Sequence, residues 1–152
     1  MPQIDGLGDD AIREILTTVR TIAVVGASPN PARPSNDVLG VLVDRGFEIF
    51  PVNPFHSGAL IRGRPVSARM ADVPAPIEMV DVFRNSAAVG GVVDEALRLD
   101  PLPRVIWMQV GVINEEAAER ARARGVTVVM NRCPAIELRR LFPPGFVSLT
   151  GR

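Results

Sequence analysis

The sequence predicts an α/β protein in which parallel strands alternate with helices. Three observations point there. Short apolar runs such as Thr21-Ile22-Ala23-Val24-Val25 and Met79-Val80-Asp81-Val82-Phe83 read as strands buried on both faces. Segments with apolar residues at helical spacing lie between them. Helix start and stop signals flank those segments. Alternation of this kind implies parallel pairing through right-handed crossovers.

Taken in order, Asp9 to Arg20 places Ile12, Ile15, Leu16 and Val19 on one helical face, with Asp9 and Asp10 favourable to the dipole. Thr21 to Val25 is the first strand and stops at Gly26. Ser35 can cap a helix running to about Arg45, and Gly46 ends it. Phe47 to Val52 is the second strand and Met79 to Phe83 the third. Ser86 opens a helix to about Leu99, with Val89, Val92, Val93, Ala96 and Leu97 inward. Arg104 to Gln109 is the fourth strand. Asn114 caps the next helix, with Glu115 and Glu116 first, Arg122 and Arg124 last, and Gly125 as the stop. Val126 to Met130 is the fifth strand. Pro134 starts a final helix through about Phe142. The expectation is one Rossmann-like domain over residues 1–152. It is a three-layer sandwich with helices on both faces of a five-stranded parallel sheet ordered 3-2-1-4-5. The long connection from Asn53 to Glu78 is the one irregular crossover.

Composition narrows the function. A chain of 152 residues with 47% hydrophobic and 22% charged residues can bury a core unaided. Seventeen basic against 17 acidic residues and no charge block argue against nucleic-acid binding. No apolar run approaches membrane-spanning length, and Asp5, Asp9 and Asp10 give the N-terminal stretch the wrong polarity for a secretory signal. A single cysteine, Cys133, allows no internal disulfide, so a cytoplasmic setting is expected. The sequence contains no lysine, which excludes lysine Schiff-base chemistry and a phosphate-loop lysine. One histidine and one cysteine cannot build a zinc site of those ligands.

In an open parallel sheet, ligands bind beyond the carboxyl ends of the strands where strand order reverses. For the expected order that point falls between the first and fourth strands. Gly26 lets the chain turn sharply off the first strand, and small Ala27 and Ser28 leave room at the main chain. Amides at the following helix start, with Asn30, Arg33 and Ser35 alongside, suggest a phosphate or pyrophosphate site. An ordinary turn with Arg33 in solvent is the alternative. The dinucleotide fingerprint fails, because Ser28 and Pro31 stand at its later glycines and Asn53-Pro54 replaces its ribose-binding acid. Asn53 can offer its amide to an adenine or ribose, or serve as a turn residue. Arg84 meets a phosphate or ends a strand in water. Gln109 can bond a ligand amide, and Gly111 permits close backbone approach or makes a plain turn. Cys133, beside Arg132 at a helix start, is a thiol suited either to exchange with a ligand thiol or to burial. His56 has no partner for triad chemistry, and Asp81 reads as a structural carboxylate. Gly90-Gly91 inside a helix suggests close packing, including at a homodimer interface.

These segments carry a resemblance. The run from Ile22 to Ser35, Phe50-Pro51-Val52-Asn53-Pro54, Met79 to Arg84, Trp107-Met108-Gln109-Val110-Gly111 and Asn131-Arg132-Cys133 are similar to the small stand-alone CoA-binding proteins. These are related to the CoA-binding domain of the succinyl-CoA synthetase alpha subunit. The resemblance spans about residues 12 to 142. It implies a Rossmann-like fold that binds coenzyme A without chemistry of its own. The Gly26–Ser35 loop would hold the phosphates, Asn53 would line the adenosine side, and Gln109 and Gly111 would face the rest of the ligand. Phe55 and His56 stand where relatives often place a basic residue, and Leu138 follows Glu137 where they often carry a histidine. The expectation is therefore a protein that binds CoA or an acyl-CoA in a binding, sensing or carrier role, alone, as a homodimer or with a protein partner. The rival readings are an acyl-CoA- or nucleotide-dependent enzyme or subunit, a nicotinamide-binding regulatory module, and a structural interaction protein.

Overall fold

A computed structural model describes residues 4–143, so the ends of the expected 1–152 domain lie outside the described residues. The elements are α1 (Asp9–Thr18), β1 (Thr21–Val25), α2 (Pro34–Asp44), β2 (Glu48–Val52), β3 (Leu60–Ile61), β4 (Arg64–Pro65), a 3-10 turn (Met70–Asp72), β5 (Met79–Val82), α3 (Val89–Ala96), β6 (Val105–Met108), α4 (Glu115–Ala123), β7 (Thr127–Val129) and α5 (Pro134–Leu141). The α/β class, the five parallel strands and helices on both faces are as expected.

The strand order is not. The sheet runs β2-β1-β5-β6-β7, so the expected third strand lies beside the first, and the second strand is the edge. In the expected numbering this is 2-1-3-4-5, not 3-2-1-4-5. Pro51 gives the reason. Its carbonyl accepts from Ser67 N–H at 3.0 Å on the outer side, where a further strand would need the N–H that proline lacks. The β5 strand is buried at all four positions, which suits a central place. The reversal therefore falls between β1 and β5.

The sheet separates two apolar clusters. Residues of α1, α2 and α5, including Ile12, Leu16, Leu39, Leu42 and Leu138, pack on Ile22, Val24, Met79 and Trp107. On the opposite face α3 and α4, through Val89, Val93, Ala117 and Ala121, pack on Ala23, Val80, Val82 and Ile106. The expected ends of the last two helices hold. Asn114 accepts from Ala117 N–H at 3.0 Å, and Pro134 is the first residue of α5. Two others do not. The cap of α2 is Arg33, without a side-chain bond, and α3 begins only at Val89. Asn85 Oδ1 accepts from Ala88 N–H at 2.9 Å to form the turn before α3. Ser86 Oγ instead takes the Ile113 N–H at 3.0 Å.

Gly90 and Gly91 are not required by close helix packing within the chain. A Cβ at Gly90 would make ordinary contact with Arg120 at 3.5 Å, and one at Gly91 would meet open space. The Asn53–Glu78 connection folds as the β3–β4 hairpin and the 3-10 turn. Among the described residues no helix is long and apolar enough to cross a membrane.

Candidate functional site

Beyond the carboxyl ends of β1, β2 and β5 lies a cavity of about 420 Å³. That is within the roughly 300–1,000 Å³ of small-molecule sites. It brings together six of the residues singled out in the sequence: Gly26, Ser28, Arg33, Ser35, Asn53 and Arg84. It also takes in Pro54 and Phe83, which lie in the segments singled out at the strand ends, and Phe55 and His56, which stand where relatives often place a basic residue. Their signal was their place at the ends of the second and third strands.

Gly26 is confined by its surroundings as well as by its backbone. Its φ is +85°, and a Cβ would strike the Phe83 carbonyl oxygen and stand 3.0 Å from Arg84 Cδ. Glycine here lets the β1 and β5 loops close on one another.

The loop after Gly26 is held from three sides. Asn53 Nδ2 donates to the Ala27 carbonyl at 2.9 Å, and its Oδ1 accepts from Phe55 N–H at 2.9 Å. Ser28 N–H donates to Ser35 Oγ at 3.2 Å, and Asn36 Nδ2 donates to the Ser28 carbonyl at 3.0 Å. Asn53 and Ser35 thus spend polar atoms on shaping the loop. The Ser28 amide, which would otherwise face an anion, is bonded within the loop, and Pro34 at the helix start has no N–H.

Charge in the cavity comes from side chains. Arg33 and Arg84 supply it, His56 lines the same cavity, and no carboxylate is among the lining residues. Among the described residues none of these three side chains has a hydrogen-bond or ion-pair partner. Phe55 exposes 87% of its surface at the rim, a flat apolar face beside the two arginines.

Four of the expected site residues lie elsewhere. Ala27 is fully buried in the core under α2. Asn30 is exposed, and its Oδ1 accepts from Ala32 N–H at 2.9 Å to close the turn. Gln109 and Gly111 follow β6, two strands from β1. Gln109 is buried with Oε1 unpartnered. Gly111 has φ +83°, and its N–H donates to Asn131 Oδ1 at 2.8 Å. A Cβ on Gly111 would meet nothing within 4 Å, so its left-handed backbone, not close approach, calls for glycine.

Cys133 is buried at the start of α5 and does not line the cavity. Asp81, on β5, is fully buried with both carboxyl oxygens unpartnered, and burial pushes its carboxyl well above the usual range. Among the described residues no group of three or more His, Cys, Asp and Glu side chains is placed to hold a metal ion.

A parallel sheet with helices on both faces, a reversal between β1 and β5, and a cavity at that reversal define a Rossmann-like α/β domain. Within that class, residues 20–139 match the family of CoA-binding domains, and the chain belongs to that family. It is 41% identical over 122 residues to the uncharacterized protein YneT of Bacillus subtilis (strain 168), covering 80% of this chain and 87% of that one. The solved structure of a hypothetical protein from Pyrococcus horikoshii OT3 superposes with a TM-score of 0.86 at 39% identity, covering 93% of this chain and 96% of that one. The fold also matches part of a dinucleotide-forming acetyl-coenzyme A synthetase from Ca. Korarchaeum cryptofilum. There the TM-score is 0.66 at 26% identity, over 76% of this chain and 26% of the synthetase.

Proposed function

We propose that this protein binds coenzyme A or an acyl-CoA in the cavity at the carboxyl ends of β1, β2 and β5. It acts as a single-domain binding, sensing or carrier protein without chemistry of its own. The observation that carries this reading is the pair Arg33 and Arg84 around one cavity with no acid to neutralise them. Unpaired cations facing one space suit a ligand with several phosphoryl groups. Arg33 and Arg84, on the loops after β1 and β5, would hold those groups from two sides. Phe55 would supply an apolar face to the base at the rim. Membership in the CoA-binding family supports coenzyme A among phosphorylated ligands. One buried cysteine fits a reducing, cytoplasmic compartment.

The test is calorimetric titration with CoA, acetyl-CoA, NAD and ATP at equal ionic strength. CoA or acetyl-CoA should bind most tightly, and Arg33→Ala and Arg84→Ala should each weaken that binding. Equal or tighter binding of NAD would overturn the choice of ligand. CoA binding untouched by both substitutions would overturn the choice of site.

A further inference from the structure

We infer that Arg62, at the tip of the β3–β4 hairpin, is a positioning residue that sets the ligand loop after β1 by acting through Asn36. The inference rests on the reading that this cavity takes CoA.

Arg62 lies outside the cavity and in an unusual place. With Gly63 it forms a two-residue hairpin turn in which both residues have positive φ, +51° for Arg62 and +81° for Gly63. Asparagine or glycine is the usual occupant of the first of these positions, and arginine has no backbone reason to be there. Its side chain supplies the reason. The guanidinium lies flat on α2 where Gly40 has no side chain. A Cβ on Gly40 would stand 3.0 Å from Arg62 Cζ and 3.1 Å from Nη1. From there Arg62 Nε donates to Asn36 Oδ1 at 2.9 Å, and Nη2 reaches Asp37 Oδ1 at 3.4 Å.

Asn36 is 5% exposed and has two ends. Its Oδ1 takes the guanidinium, and its Nδ2 donates to the Ser28 carbonyl at 3.0 Å. A guanidinium can only donate, so it fixes which end of the amide faces it. With Arg62 in place the amide oxygen points to the hairpin and the NH₂ to the loop. Without Arg62 the amide oxygen loses its partner and the orientation rests on the Ser28 carbonyl alone, so the amide is held at one end instead of two. Ser28 N–H is bonded to Ser35 Oγ, the residue before Asn36, so both backbone groups of Ser28 are held by the first turn of α2. Ser28 lines the cavity with Arg33. The hairpin thereby reaches the ligand loop through one buried amide.

The experiment compares wild type with Arg62→Gly, Arg62→Lys, Asn36→Ala and the double variant Arg62→Gly/Asn36→Ala. Arg69→Ala is the control, since Arg69 pairs with Asp72 away from the cavity. Glycine suits the left-handed turn, so Arg62→Gly removes the guanidinium without breaking the hairpin. Two quantities are read: CoA affinity by calorimetry, and exchange of the Ser28 amide proton in the ligand-free protein by NMR. Arg62→Gly should weaken CoA binding about tenfold, a coupling of ordinary size for residues in one hydrogen-bond network. It should also speed Ser28 exchange while the melting temperature stays near that of wild type. Lysine should restore part of both effects, and Arg62→Gly should add little to Asn36→Ala. Wild-type affinity and wild-type Ser28 exchange in Arg62→Gly would overturn the inference, as would full additivity in the double variant. If wild type does not bind CoA, the functional reading fails by itself, and Ser28 exchange still decides the coupling.

Discussion

A carboxyl with no partner sits in the centre of the sheet. Asp81 pairs through its backbone with Val24 on one side and Trp107 on the other, and neither neighbour offers its side chain a hydrogen bond. Burial raises its pKa in the folded protein above the value of 3.8 usual for the exposed group. The fold therefore binds a proton that the unfolded chain releases. That contribution is complete below the unfolded pKa and declines as pH rises, by about 1.4 kcal/mol for each pH unit until the folded group titrates. Asp81→Asn should remove this decline. The variant is expected to be more stable than wild type at pH 7 and to differ little from it at pH 4, in denaturant titrations at both pH values. Gly26 makes the opposite demand on its site. Gly26→Ala combines a positive φ with a collision on the Phe83 carbonyl and should cost about 2 kcal/mol or more in the same titration.

At the scale of elements, the segment before α1 is clasped to α5 by a buried ion network. Arg132 Nε and Nη2 donate to the two oxygens of Asp5 at 3.0 and 2.9 Å, and Nη1 donates to Glu137 at 3.1 Å. Arg140 continues the network from Glu137 to Asp9. Burial alone would raise the Asp5 carboxyl. The hydrogen bonds from Arg132, Leu7 N–H and Met130 N–H, with the guanidinium charge, outweigh it and hold Asp5 below its usual range. Its stabilisation is thus present above the unfolded value of 3.8 and is lost as pH falls through the folded pKa. Acid should release the clasp before the sheet, visible as faster amide exchange at Met130 while strand amides of β1 stay protected. Arg132→Leu would leave the buried Asp5 carboxylate without a counter-charge, while Glu137 keeps Arg140, and should cost about 3–5 kcal/mol by thermal unfolding at pH 7. The elements themselves were legible because apolar runs and glycine stops are local signals, as at Thr21–Gly26 and at Asn114–Gly125. Helix starts were less legible. Ser35 and Ser86 look like caps, yet Ser35 spends its hydroxyl on the loop leading into α2 and Ser86 on the loop after β6, choices that the folded surroundings decide.

At the scale of the whole molecule, strand order is where the sequence reading of 3-2-1-4-5 fails. All candidate strands are apolar, so burial alone does not rank them. Pro51 did carry the information that β2 is an edge strand. The revised order moves the reversal to β5. This brings Arg84 and Phe83 beside Gly26 and leaves Gln109 and Gly111 outside the cavity. Arg33 and Arg84 were legible as residues just beyond strand ends, whereas Arg62 and Asn36 were not, because their roles depend on a hairpin docking on α2. The chain has zero formal net charge, so the cationic cavity is a local concentration of charge. CoA affinity should therefore fall between low and high salt, measured by calorimetry, and the fall should shrink in Arg84→Ala.

The reversal between β1 and β5 sends the chain to opposite sides of the sheet. The loop after β1 leads into α2 and its cluster, and the loop after β5 leads into α3 and the other. A ligand bridging Arg33 and Arg84 would be a rivet through the two layers, tying together cores that otherwise meet only across the sheet. Its departure and any slippage of one helical layer over the other would then be a single motion.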